Sequence, residues 1–108
     1  MPAFEASQAV LPRLIVLEHA GSTNDELAAL AASEPLPAYT TMVTEDQRAG
    51  RGRRDRDWST PPGRGLAVSV LLPSTRAVDV PWLPLAAGLA MCEAAIEVLP
   101  QEARVGLK

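Results

Sequence analysis

The run "LAVSVLL", Leu66 to Leu72, constrains the fold more than any other stretch. Its apolar pattern is near-continuous. A β-prone segment with no polar alternation reads as a strand buried on both faces, and such a strand needs partners beside it and a layer on each side. Two further segments supply partners: "RLIVLE", Arg13 to Glu18, and "YTTMVTE", Tyr39 to Glu45. Between them lies "HAGSTND", a cluster of turn and capping residues, and then a helix from about Asn24 to Ser33. Ser22 or Thr23 can cap that helix, and Glu26 stands three residues after Thr23, as in a capping box. Leu27, Leu30 and Ala31 fall on one face. Pro35 and Pro37 end the helix, because proline cannot continue its hydrogen bonding. After Leu72, "PSTRAVDVPW" reads as a connection, followed by the longest helix, "LPLAAGLAMCEAAIEVL". Leu85, Leu89, Cys92 and Ile96 share its apolar side and read as core. Pro100 ends it, and "ARVGLK" opens a fourth strand at the last residue. This order predicts an α+β domain, a mixed sheet with helices against it, over residues 13–108, with residues 1–12 as a loose lead-in. A strand that opens at the final residue reads as a truncated chain.

The totals exclude several classes. A hydrophobic content of 47% over 108 residues is enough for a packed core and too much for a disordered chain. With aromatics at 4%, that core is built from Ala, Leu and Val. Cys92 is the only cysteine, so no intrachain disulfide forms, and a reducing, cytoplasmic setting is expected. The N-terminus carries no signal-peptide pattern, and the apolar segment Leu83 to Met91 is too short to span a bilayer, so no membrane partner is expected. A sequence pI near 5.0 argues against a general nucleic-acid binder.

Against that acidic background stands "EDQRAGRGRRDRDWSTPPGRG", Glu45 to Gly65. Five of the ten basic residues fall between Arg48 and Arg56. Three readings compete for this run, taken as a loop up to about Gly65. The first is a solvated surface loop, the common fate of charge runs. The second is an anion site: glycine lets backbone approach a phosphate closely, and arginine offers paired donors to phosphate or carboxylate oxygens. The run matches neither the Walker pattern nor GxGxxG. The third is contact with RNA or DNA through arginine and Trp58 stacking, diluted by Asp55 and Asp57. The loop is tethered between two strands, and the second polar cluster, "GSTND", also lies at a strand end, where sites commonly form. Ser22, Thr23 and Asn24 offer hydroxyls and an amide to a neutral polar group, or simply cap the helix. His19, the only histidine, reads as structural, Cys92 as packing rather than nucleophile, and no metal-ligand spacing is visible.

Taken in order, "GSTND", "EDQRAGRGRRDRDW", "LAVSVLL", the long Ala/Leu helix and "VGLK" resemble the catalytic domain of biotin protein ligases. The resemblance covers roughly Leu14 to Lys108, and the pattern QxAGRGRxxRxW is its most specific part. In that family the segment after "GLK" continues through Trp-Pro-Asn-Asp, and no DNA-binding helix-turn-helix precedes "GSTND" here, as in the non-repressor type. The resemblance implies a class II aminoacyl-tRNA-synthetase-like mixed sheet. It implies formation of biotinyl-5'-adenylate from biotin and ATP with magnesium, which would arrive on the nucleotide. Biotin would then pass to a lysine of a biotin carboxyl carrier domain, with no DNA partner.

Carried over by residue, the resemblance assigns biotin binding to Ser22, Thr23, Asn24, Gln47, Arg51, Gly52, Arg53 and Lys108. It assigns adenylate and ATP binding to Arg51, Arg53 and Trp58, and the catalytic roles to Arg51, Arg53 and Lys108. The chemistry suits these types. A ureido ring is neutral and polar, so hydroxyls and amides fit it. A carboxylate approaching an α-phosphate meets like charge, which two arginines and a lysine can neutralise in the transition state. A glycine-containing loop that closes would keep water from a hydrolysable mixed anhydride. Asp55 stands where the family usually has glycine, adding negative charge and reducing backbone freedom. The 108 residues by themselves are expected to be inactive or marginally folded. The rivals are a lipoate-type acyl ligase of the same fold, a non-catalytic nucleic-acid-binding module, and a catalytically dead remnant that pairs with a partner.

Overall fold

The computed structural model describes residues 4–51, 56–60, 62–73 and 76–100. The chain divides into two compact units, Met1–Pro73 and Ser74–Lys108.

The first unit is built on a three-stranded sheet. Strand β1 (Leu14–Leu17) runs parallel to β2 (Thr41–Thr44), with Ile15 opposite Met42 and Leu17 opposite Thr44. Parallel neighbours need a crossover, and helix α2 (Thr23–Ser33) provides it. Strand β5 (Ala67–Val70) pairs antiparallel on the other side of β2, with Met42 opposite Ser69. The sheet is therefore mixed, as expected, in the order β1-β2-β5. A six-residue helix, α1 (Glu5–Val10), precedes it where a loose lead-in was expected.

Burial follows from this order. Strand β2 has a neighbour on each side and is buried throughout. Helix α2 contributes Leu27 to the buried apolar residues, which also include Met42, Val43 and Ala20. Leu30 is half-buried, whereas Ala31, expected on the same face, is exposed. The expectation that Leu66 to Leu72 is buried on both faces is not met. Only Ser69 of β5 is buried, while Val68 and Val70 are 43% and 44% exposed. The reason is the pleat: in strand β5 alternate residues face opposite ways, so Ser69 and Ala67 share the face of Met42, while Val68 and Val70 point to the other face. Among the described residues the core also holds Thr40, Thr41 and Thr44. Their hydroxyls bond Pro37 O at 2.7 Å, Tyr39 O at 3.0 Å and Asp46 O at 3.5 Å, so burial leaves none of them unpaired.

The Arg/Gly run is not the simple loop that composition suggested. Gln47–Arg51 forms strand β3 and Asp57–Thr60 forms strand β4, paired antiparallel as a separate two-stranded sheet. A register shift between Gln47 and Gly50 marks a bulge, which twists and bends a ribbon. Gly63 follows with φ 74°, a left-handed turn position that glycine takes without steric cost.

The second unit contains a 3-10 helix (Ala77–Trp82) running into α3 (Leu83–Val98). Pro84 sits in the first turn of α3, where a missing N–H costs nothing. The core role expected for this helix is not met: none of its residues is buried, and Leu85, Leu89 and Ile96 are exposed, with Cys92 half-buried. The stretch Ala77–Val98, 22 residues, is long and apolar enough to cross a membrane by length and composition alone. That exceeds the shorter segment weighed in the sequence, although Asp79, Glu93 and Glu97 lie within it. The expected fourth strand, Ala103 to Lys108, lies outside the described residues.

Candidate functional site

Two sequence elements 24 residues apart meet at one place. The Ala20–Gly21 segment pairs with the start of β3. Ala20 N donates to Asp46 O at 3.0 Å, Arg48 N donates to Ala20 O at 2.9 Å, and Ala49 N donates to Gly21 O at 2.6 Å. This backbone ladder fixes Gln47 opposite Ala20, next to the N-terminus of α2. The turn feeding β3 is held by Thr44, whose hydroxyl accepts the Asp46 N–H at 3.1 Å.

Helix α2 divides its capping residues by role. Ser22 is the N-cap, with extended backbone, and its hydroxyl accepts the Asp25 N–H at 3.3 Å. The capping box expected between Thr23 and Glu26 does not form, because Ser22 already holds the cap position. Thr23 is instead the first helical residue, and its side chain turns inward. It is 3% exposed. Its backbone N–H reaches Gln47 Oε1 at 3.1 Å, and its hydroxyl lies 3.4 Å from the same oxygen and 2.7 Å from Ser69 Oγ. Ser69 Oγ also donates to Asn24 Oδ1. Thr23, Asn24, Gln47 and Ser69 therefore form one connected polar cluster. No buried side-chain nitrogen or oxygen among the described residues lacks a partner.

The structure thus brings together Thr23, Asn24 and Gln47, with Ser22 beside them as cap. Arg51 ends β3, and Trp58 stands in β4 opposite Gly50. Gly52, Arg53, Asp55 and Lys108 lie outside the described residues. Ser69 was not singled out in the sequence. The available signal was a lone hydroxyl in an otherwise apolar strand. Arg48, the first arginine of the run, is turned back on Asp46, with contacts of 2.9 and 3.3 Å. The hydrogen bond from Asp46, then its charge, raises the Arg48 pKa above the ordinary arginine value. Arg48 is therefore an intraribbon ion pair rather than a free cation.

Chemically the cluster is neutral. It offers amide and hydroxyl groups at a helix N-terminus, where the helix dipole adds a positive field. It adjoins a ribbon rich in arginine. The pairing suits a ligand with a neutral polar head and an anionic tail.

Comparison with known proteins gives this arrangement its family. The model of the biotin/lipoate A/B protein ligase family matches residues 16–106. The chain belongs to that family. A biotin--[acetyl-CoA-carboxylase] ligase of Mycobacterium tuberculosis (strain ATCC 25618 / H37Rv) is 38% identical to it, over 89% of this chain and 37% of the relative. The corresponding ligase of Paracoccus denitrificans is 33% identical, over 86% of this chain and 38% of the relative. The biotin protein ligase of Leishmania major in complex with biotinyl-5-AMP superposes with a TM-score of 0.71 at 33% identity, over 89% of this chain and 39% of that one. The same ligase in complex with biotin gives 0.70 at 36% identity, over 82% and 35%. This member of the biotin/lipoate ligase family thus spans less than two fifths of the curated relatives it matches.

Proposed function

We propose that this chain carries the biotin-recognition and adenylate-loop portion of a biotin protein ligase catalytic domain, residues 13–108. In the proposed reaction a carboxylate oxygen of biotin attacks the α-phosphorus of ATP, releasing pyrophosphate and leaving biotinyl-5'-adenylate. The ε-amine of a lysine on a biotin carboxyl carrier domain then attacks the acyl carbon, and AMP leaves. The observation that carries the reading is the meeting of Thr23 and Gln47, which joins the helix N-terminus of "GSTND" to the base of the arginine ribbon.

Each part has a role in this reading. Thr23, Asn24 and Gln47 hold the ureido head, and Ser22 keeps the helix N-terminus in place. Arg51 and Arg53, with Lys108, offset the charge between carboxylate and α-phosphate. Such contacts matter most when aimed at charge that develops in the transition state. Gly52 lets the ribbon approach the ligand, and Trp58 orders the adenine side. Among the described residues no group of three or more His, Cys, Asp or Glu gathers. Magnesium would travel with ATP as part of the substrate. A cytoplasmic setting is part of the proposal and rests on the single cysteine.

The test is competition calorimetry on a full-length version of the protein with biotin and lipoate. Preferential biotin binding is expected. Preference for lipoate would move the chain to the lipoate-type activity. Salt-sensitive micromolar binding of generic RNA, read by fluorescence anisotropy, would favour the nucleic-acid module instead.

A further inference from the structure

We infer that Ser69 is a positioning residue that sets the direction of the hydrogen bonds around Thr23, Asn24 and Gln47, and through them the site's preference for a carbonyl over an imine head group. The inference rests on the biotin reading above.

It begins with counting protons. Ser69 is 4% exposed on β5, between Val68 and Val70. Packing alone would be served by an apolar residue there, and burying a hydroxyl is costly unless it is paired. The Ser69 hydroxyl has one proton, and it goes to Asn24 Oδ1. The 2.7 Å contact between Ser69 Oγ and Thr23 Oγ1 must then run the other way, with Thr23 donating. That uses the single Thr23 hydroxyl proton. Gln47 Oε1 is left with the Thr23 backbone N–H at 3.1 Å, while the hydroxyl stands off at 3.4 Å.

The result is a directed array. Asn24 and Gln47 each have the amide oxygen held from within the protein. Among the described residues nothing takes their NH₂ groups, which remain as donors. Thr23 Oγ1 retains a lone pair as acceptor. A cyclic urea presents a carbonyl oxygen with two lone pairs, which the two NH₂ groups can fill, and two N–H donors, one of which Thr23 Oγ1 can accept. In 2-iminobiotin the carbonyl is replaced by a protonated imine, a donor facing donors. The array therefore discriminates by hydrogen-bond sense rather than by size.

Removing the Ser69 hydroxyl releases both ends. Asn24 Oδ1 loses its donor and the amide is free to turn. The Thr23 proton is free to swing to Gln47 Oε1. The preference for biotin over 2-iminobiotin should narrow by about three- to tenfold in Ser69→Ala, the range of one neutral hydrogen bond. A residue acting only through packing would weaken both ligands alike.

Calorimetry of biotin and 2-iminobiotin on a full-length version of the protein tests this, with circular dichroism to confirm folding. Ser69→Cys, close in size with a weaker donor, gives a second variant should Ser69→Ala fail to fold. It should show an intermediate narrowing. An unchanged ratio in the folded variants overturns the inference, as does an unsubstituted chain that prefers 2-iminobiotin. If the unsubstituted full-length protein binds neither compound, the biotin reading itself fails and the role assigned to Ser69 goes with it.

Discussion

Thr44→Val separates local stability from site geometry. Thr44 is fully buried at the end of β2, and its hydroxyl accepts the Asp46 N–H at 3.1 Å. Its donor contact to Asp46 O, at 3.5 Å, is too long to contribute much. Valine keeps the side-chain volume, so the change opens no cavity. It removes one neutral hydrogen bond and leaves the Asp46 N–H without its partner, a loss of about 1–3 kcal/mol for a buried group. Asp46 is half-buried, so water replaces part of the bond and the lower end applies, about 1–2 kcal/mol. For a small domain that lowers Tm by roughly 4–8 °C per kcal/mol. Urea unfolding followed by circular dichroism should show a lower midpoint at unchanged slope. Thr44→Ser is the control: it keeps the hydroxyl and loses a methyl group, costing about 1 kcal/mol. The two variants should part at the site. Asp46 O accepts the Ala20 N–H, and Gln47 follows directly, so loosening this turn should weaken the Gln47–Thr23 contact and biotin binding. Serine should leave biotin binding as it was. If Thr44→Val matches the unsubstituted chain in stability and affinity, or if serine lowers affinity equally, the turn does not set the position of Gln47.

The remaining predictions concern the arginine ribbon and a strained turn. In a full-length version of the protein, Arg51→Ala should cost adenylate formation heavily, and Arg53→Gly should speed adenylate loss, both read by release of labelled pyrophosphate and adenylate. Arg48→Ala should leave both readouts unchanged, because Arg48 is engaged with Asp46. The raised Arg48 pKa means its stabilising contribution is complete below the ordinary arginine value and fades only as pH rises through the raised one, so thermal melts of the Arg48 variant and the parent should differ equally at pH 6 and pH 9. Tyr39 has φ 69°, a left-handed conformation that costs a non-glycine residue about 1 kcal/mol, and its side chain is exposed. Tyr39→Gly should hold or raise Tm despite the greater flexibility of the unfolded chain, and a clear fall would show that the tyrosine ring packs usefully.

The β1-α2-β2 order was legible because each element carries its own local signal. The apolar runs around Ile15 and Met42, the capping residues before Asn24, and Pro35 beyond the helix act over a few residues. The family pattern was legible too, since the arginine and glycine spacing is contiguous. What the sequence left open was the division of labour within "GSTND". Ser22 and Thr23 are both competent caps, and only the fold decides, by placing Gln47 and Ser69 beside Thr23. Ser69 itself was hidden inside an apolar run. Its role depends on strand β5 lying antiparallel to β2 in a register that puts Ser69 opposite Met42. That register brings Ser69 to Thr23 and Asn24, 46 and 45 positions away, and no local propensity encodes it. The same holds for the Arg/Gly run: its composition specifies charge and backbone freedom, but its pairing as β3 and β4 depends on cross-strand hydrogen bonds and on the ladder from Ala20 and Gly21. Residue types and local order were set by the sequence alone. Which hydroxyl faces which amide was decided by tertiary structure, because hydrogen-bond partners are chosen by position in space and not by distance along the chain.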